Sequence, residues 1–184
     1  MSAATLTDGD VELAVLAAAD ELFYRRGIAA VSMAEIRDAS GVSMRRLYGF
    51  ANSKTDLVSR WLEHRHVSWT DGFFERIARR QKQGEPAIDA TFHALADWME
   101  ETDYRGCGFI NTHAESSELV DEHRRIIRMH KQALADHLSA LHADGAAIAV
   151  LIDGAIVQAS IFANAEPIQL ACQAAKSLSQ KDAS

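Results

Sequence analysis

Residues Val31–Lys54 read VSMAEIRDASGVSMRRLYGFANSK, and the reading of this stretch decides the fold. Ser32 stands three residues ahead of Glu35. That is the spacing of a capping box, in which the serine oxygen and the glutamate carboxylate each satisfy a backbone N–H at the start of a helix. The spacing predicts a short helix from Ser32 to about Ala39 that buries Met33 or Ile36. Ser-Gly-Val at 40–42 predicts a turn, and Ser43 caps a second short helix ending near Phe50. Two short helices joined by a Gly-containing turn form a helix-turn-helix pattern; the same spacing equally describes a plain helical hairpin with solvated arginines. In the DNA-reading form of the motif the second helix lies in the major groove, its first residues at the base edges. That face here would present Ser43, Met44, Arg45 and Arg46, with Leu47 turned inward. An arginine fork can bond two acceptors on guanine, or a phosphate. The Tyr48 hydroxyl can hold a phosphate. Ser32, Ser53 and Lys54 stand at helix starts, where free backbone N–H groups favour phosphate as well.

Outward from this stretch the pattern stays helical. Val11, Val15, Ala18 and Leu22 mark one face of a helix over 8–26, closed by basic residues and Gly27. Ser53 and Asp56 open a long helix from Lys54 to about Lys82. Gln-Gly-Glu-Pro at 83–86 is a linker, with Pro86 suited to a first helical turn. The next helix carries Ile88, Phe92, Leu95 and Met99. After the break at 103–108 come a short segment, 109–116, and a long helix from about Ser116 to His142. Two final helices are expected over 145–163 and 167–178. The fold class is therefore all-α.

The chain has 184 residues, 48% of them hydrophobic, and a formal net charge of −7. Up to His66 there are 8 Lys/Arg against 9 Asp/Glu, a net of −1; the remainder has 11 against 17, a net of −6. Such a balance excludes a basic coat but not a local basic face. Two cysteines, Cys107 and Cys172, are too few for a disulfide framework. The first ten residues lack the basic-then-apolar order of a signal peptide. The apolar run from Gly145 carries Asp153 near its middle, which favours a buried helix over a membrane span. A reducing cytoplasm is the expected compartment. No Ser/His/Asp order, phosphate-cradling glycine loop or metal-ligand cluster points to an enzyme, and no cofactor is expected.

Residues Ala18–Val58, AADELFYRRGIAAVSMAEIRDASGVSMRRLYGFANSKTDLV, resemble the DNA-binding domain of the TetR family of transcriptional repressors. The motifs that carry the resemblance are ELF before a helix-closing RG, then VSMAEI, ASGVS, LY, and SK followed by DLV. The rest of the chain is similar to that family only in layout, and the resemblance implies a three-helix helix-turn-helix DNA-binding domain at 1–54 and a helical ligand-binding and dimerisation domain at 55–184. The resemblance implies a homodimer on a palindromic duplex operator, released or recruited by a small-molecule inducer or a thiol-reactive signal. Its DNA contacts would be Ser32, Ser43, Met44, Arg45, Arg46, Tyr48 and Lys54. The chain departs from the family after Tyr48: where the family has a further residue, then His, an aromatic, and Pro or Gly, this sequence has Gly49, Phe50, Ala51 and Asn52.

In the second half, the small and branched residues of the last two helices suit a dimer interface. On the long helix His123, His130 and His137 recur every seven residues within the apolar stripe. That step is about 10.5 Å, so no two of them share one metal ion; lining a ligand cavity and hydrogen-bonding in the core both fit. Cys107, between two glycines, is a candidate reactive thiol, with Arg105 or Lys176 as the cation beside it. Relatives of this layout use a cysteine in this place. Phe92, Met99, Cys107, Phe109, Asn111, His113, His123 and His130 are the candidate ligand-lining residues, and no metal site is expected.

Overall fold

The computed structural model describes residues 7–100, 104–115 and 119–181. Among them are nine helices and no strand: α1 (Asp8–Arg26), α2 (Met33–Ser40), α3 (Met44–Phe50), α4 (Lys54–Lys82), α5 (Ala87–Met99), α6 (Gly108–Glu115), α7 (Asp121–Leu141), α8 (Gly145–Phe162) and α9 (Glu166–Lys181). The all-α expectation holds, and most helix ends fall within a residue or two of the expected positions. The largest difference is at α7, which begins at Asp121. The anticipated start at Ser116 lies outside the described residues, but Leu119 and Val120 precede the helix. Asp121 and Glu122 then occupy its first turn, where acidic side chains complement the helix dipole.

The chain divides into two compact units. One comprises residues 1–66 and 111–127, the other residues 67–110 and 128–184. In the first, α1, α2 and α3 pack on one another around Val15, Leu16, Ala19, Phe23, Val31, Ile36, Val42 and Leu47, all buried. Of the two residues expected to anchor α2, Ile36 is the buried one and Met33 is half-buried. In the second unit α9 packs on α8 and α5, with Phe92, Leu95, Leu138, Ile148, Ile152, Ile156 and Ile168 inside.

Helix α8 is long and apolar enough to cross a membrane by length and composition alone. Ile148, Ile152, Ala155, Ile156 and Ala159 form its buried face, and the Asp153 carboxylate is paired with the Lys131 ammonium at 2.6 Å. The opposite face is apolar as well. Val150 is 72% exposed and Ile161 70%, with Gly154 and Val157 between them on the same row.

Candidate nucleic-acid interface

Local chemistry sets each end of the helix-turn-helix. The Ser32 hydroxyl oxygen accepts the Glu35 N–H at 3.3 Å, and the Glu35 carboxylate accepts both the Ser32 N–H and its O–H at 2.8 Å. Arg26 adds an ion pair to the same carboxylate at 2.8 Å. The bonds from Ser32, first through its backbone N–H and then through its hydroxyl, with Arg26 after them, hold the Glu35 carboxyl down at about 2. Gly41 closes α2 in the left-handed region, at φ 68°, where a side chain would be strained. Ser43 caps α3, its oxygen accepting the Arg46 N–H at 3.3 Å. Ser53 accepts the Asp56 N–H at 3.1 Å, while Asp56 accepts the Asn52 N–H at 2.9 Å, so two side chains take up backbone N–H groups at the start of α4.

Leu47 is fully buried and orients α3. At 100° per residue, Arg45 and Gly49 fall on the outermost line of the helix, directly away from Leu47, with Tyr48 beside them. The exposures follow: Ser43, Arg45, Tyr48 and Gly49 are exposed, and Met44, Arg46 and Lys54 are half-buried. The two arginines differ. Arg46 reaches back to the Asp8 carboxylate at 3.4 Å, whereas Arg45 makes no hydrogen bond, ion pair or ring contact among the described residues. Ser32 is exposed but its hydroxyl is committed to the capping box. At the departure from the family pattern, Ala51 is buried and Phe50 is half-buried, with the Arg60 guanidinium 4.9 Å over its ring.

Three polar contacts brace this unit, and none has a local sequence signal. The Asp20 carboxylate accepts the Trp61 Nε1–H at 2.8 Å and an Arg65 N–H at 2.5 Å, joining α1 to α4; Arg65 also lies 4.1 Å over the Tyr24 ring. The Glu115 carboxylate, at the end of α6, accepts the Ile28 N–H at 2.9 Å and lies against Gly27. On α7, His123 must donate through Nε2–H, because its partner at 3.0 Å is the carbonyl of Thr55.

The expected ligand-lining residues are divided between the two compact units. Asn111, His113 and His123 belong to the first compact unit, where His113 is exposed and His123 is the brace just described. Phe92, Met99, Cys107, Phe109 and His130 belong to the second. There His130 stacks on Phe109 at 3.7 Å and meets the edge of Trp69, which in turn packs on Phe73 and Trp98. His137 stacks on Phe74, and burial pushes its imidazole down. A cation does stand beside the buried Cys107 sulfur: Lys131, at 3.5 Å, which sequence spacing did not single out. Lys176 instead pairs with Asp89 near Cys172, and burial pushes the Cys172 thiol up. Among the described residues no group of three or more His, Cys, Asp or Glu is placed to hold a metal ion.

A family model described as bacterial regulatory proteins, tetR family, matches residues 15–60. Among solved structures, the reduced form of NemR from E. coli superposes with a TM-score of 0.79 at 19% identity, covering 91% of this chain and 97% of that one. A TetR-family transcriptional regulator from Streptomyces coelicolor gives 0.79 at 22%, covering 94% and 96%. One from Chloroflexus aurantiacus gives 0.74 at 21%, covering 90% and 92%. At these identities the likeness is one of fold. A comparison with curated proteins gives no match.

Proposed function

From the premise that the chain carries the N-terminal domain of the tetR family on that family's regulator fold, we propose that it is a transcriptional repressor that binds a palindromic operator as a homodimer. The observation that carries this reading is α3, which buries Leu47, turns Arg45 and Tyr48 outward and leaves its cap Ser43 exposed. Residues 1–54 read the duplex and residues 55–184 sense and dimerise. Ser32, Met44, Arg46 and Lys54 complete the set of residues at the DNA surface. Two copies must hold their α3 helices about 34–36 Å apart to reach successive major grooves. The apolar row on α8, with Leu170 exposed on α9, is the surface through which they pair; patches of this kind mark interaction sites. A protein of this function works in the cytoplasm.

Binding is tested with the full chain against a pool of random duplexes, followed by titration of the selected operator at several salt concentrations. Affinity falls steeply with salt, because phosphate neutralisation releases counterions. Arg45→Ala with Arg46→Ala lowers operator affinity by a factor on the order of 100 or more, with the thermal midpoint retained. A double variant that binds as tightly as the parent removes α3 from the role of reading helix.

The switch is a small molecule held in the second unit or a reagent that modifies Cys107. An ammonium stands against the Cys107 sulfur itself, whereas the sulfur of Cys172 faces the Asp89 carboxylate, to which Lys176 is paired. Thiolate character governs attack on an electrophile, and nearby cations favour it. Iodoacetamide is therefore expected to alkylate Cys107 faster than Cys172, and Lys131→Met to erase the difference. Mass spectrometry of the two peptides measures both rates; equal rates, or a faster Cys172, eliminate the thiol form of the switch.

A further inference from the structure

Gly49 has no reason to be glycine within this chain. It lies inside α3, and its φ is not among the positive values recorded for Gly27, Gly41, Gly84 and Gly106. A Cβ built on it meets nothing within 4 Å. Glycine in a helix interior is less stable than alanine, because it orders a freer backbone. Neither conformation nor packing explains the residue, and it is exposed. Gly72 on α4 and Gly154 on α8 have similarly open surroundings. Gly49 is set apart by its position: on the outermost line of α3, one turn from Arg45 and next to Tyr48. A missing side chain on such a face permits a partner's surface to approach the helix backbone.

The neighbouring arginines divide in the same direction. Arg45 points outward with no partner among the described residues. The Arg46 guanidinium is drawn to Asp8 at the start of α1, away from that line. A bidentate bond to guanine needs a fork that is free and a helix that sits deep enough to present it. A phosphate contact needs neither.

Resting on the DNA-binding reading above, we propose that Arg45 and Gly49 together form the specificity-determining element. Gly49 lets α3 lie close against the base edges, so that Arg45 reads one guanine in each half-site. Arg46, steered by Asp8, meets phosphate and positions the helix without reading sequence.

The test uses the full-length chain and the operator selected by the parent. Gly49→Ala raises the thermal midpoint, because alanine suits a helix better, and lowers operator affinity by about tenfold, the order of one steric mismatch in a close contact. Arg45→Ala costs about 5- to 150-fold on the selected operator and loses the preference for guanine at one position of each half-site. Arg46→Ala keeps that preference, weakens all duplexes alike and reduces the salt slope by about 1. Gly49→Ala binding as tightly as the parent, with unchanged base preference, overturns the role of Gly49. A guanine preference lost in Arg46→Ala and kept in Arg45→Ala overturns the division between the arginines. If the parent selects no duplex at all, the DNA-binding reading fails, and this proposal with it.

Discussion

Trp61→Ala destabilises the first compact unit by about 3–5 kcal/mol, the range for removing a large buried aromatic. Trp61 is 1% exposed and meets the edge of Phe23 with ring centroids 5.4 Å apart. Truncation removes that contact and leaves a space bounded by α1 and α4. It also deprives the Asp20 carboxylate of the indole N–H at 2.8 Å, although Arg65 still neutralises it. The polar part is therefore the smaller one. Trp61→Phe, which keeps most of the volume and loses only the N–H, should cost about 1–2 kcal/mol. Urea unfolding of both variants separates the two contributions. In a thermal melt the alanine variant should lose roughly 6–20 °C at this chain size. An alanine variant within about 1 kcal/mol of the parent would show that α1 and α4 are held together by something other than this contact.

On the proposed pairing through α8, Val150→Arg combined with Ile161→Arg is expected to turn a dimer into a monomer. The two positions lie eleven residues apart, which returns a helix to nearly the same face. Both are exposed in the single chain, so its own core does not depend on them. In a two-fold interface each substitution occurs twice, and four guanidinium groups would face an apolar row with no carboxylate on it. Burying even one charge without a partner costs several kcal/mol. A rise in the dimer dissociation constant of a factor on the order of 1,000 follows, at 1.4 kcal/mol per decade. Sedimentation velocity at micromolar concentration reads it directly. The operator proposed above gives a second reading, because a monomer would hold only one half-site of it. A double variant that still sediments as a dimer would move the interface elsewhere.

Much of the first unit was legible in the sequence because its signals are short-range. The Ser32–Glu35 box, the Ser43 cap, the Gly41 turn and the Ser53–Asp56 start each span two to four residues, and each chemical requirement is met by neighbours in the chain. The three histidines of α7 show where such reading stops. Their spacing puts them on one stripe, yet His123 donates to a backbone carbonyl, His130 lies between Phe109 and Trp69, and His137 stacks on Phe74. Periodicity reports a direction around a helix and says nothing of what stands opposite. The same holds at Cys107: Arg105 is near in sequence, but the lysine that meets the sulfur is 24 residues away.

By itself, then, the sequence determined where most of the helices begin and end, that the chain is all-helical, and that Ser43 to Tyr48 makes a short helix with one apolar residue turned in. These follow from backbone hydrogen bonding and caps that act within one or two turns. Only the tertiary structure decided which arginine of α3 is free, that Glu115 clasps the start of the α1–α2 turn 87 residues away, and that Lys131 attends Cys107. Those outcomes depend on which side chains packing brings face to face, and no short-range rule encodes that.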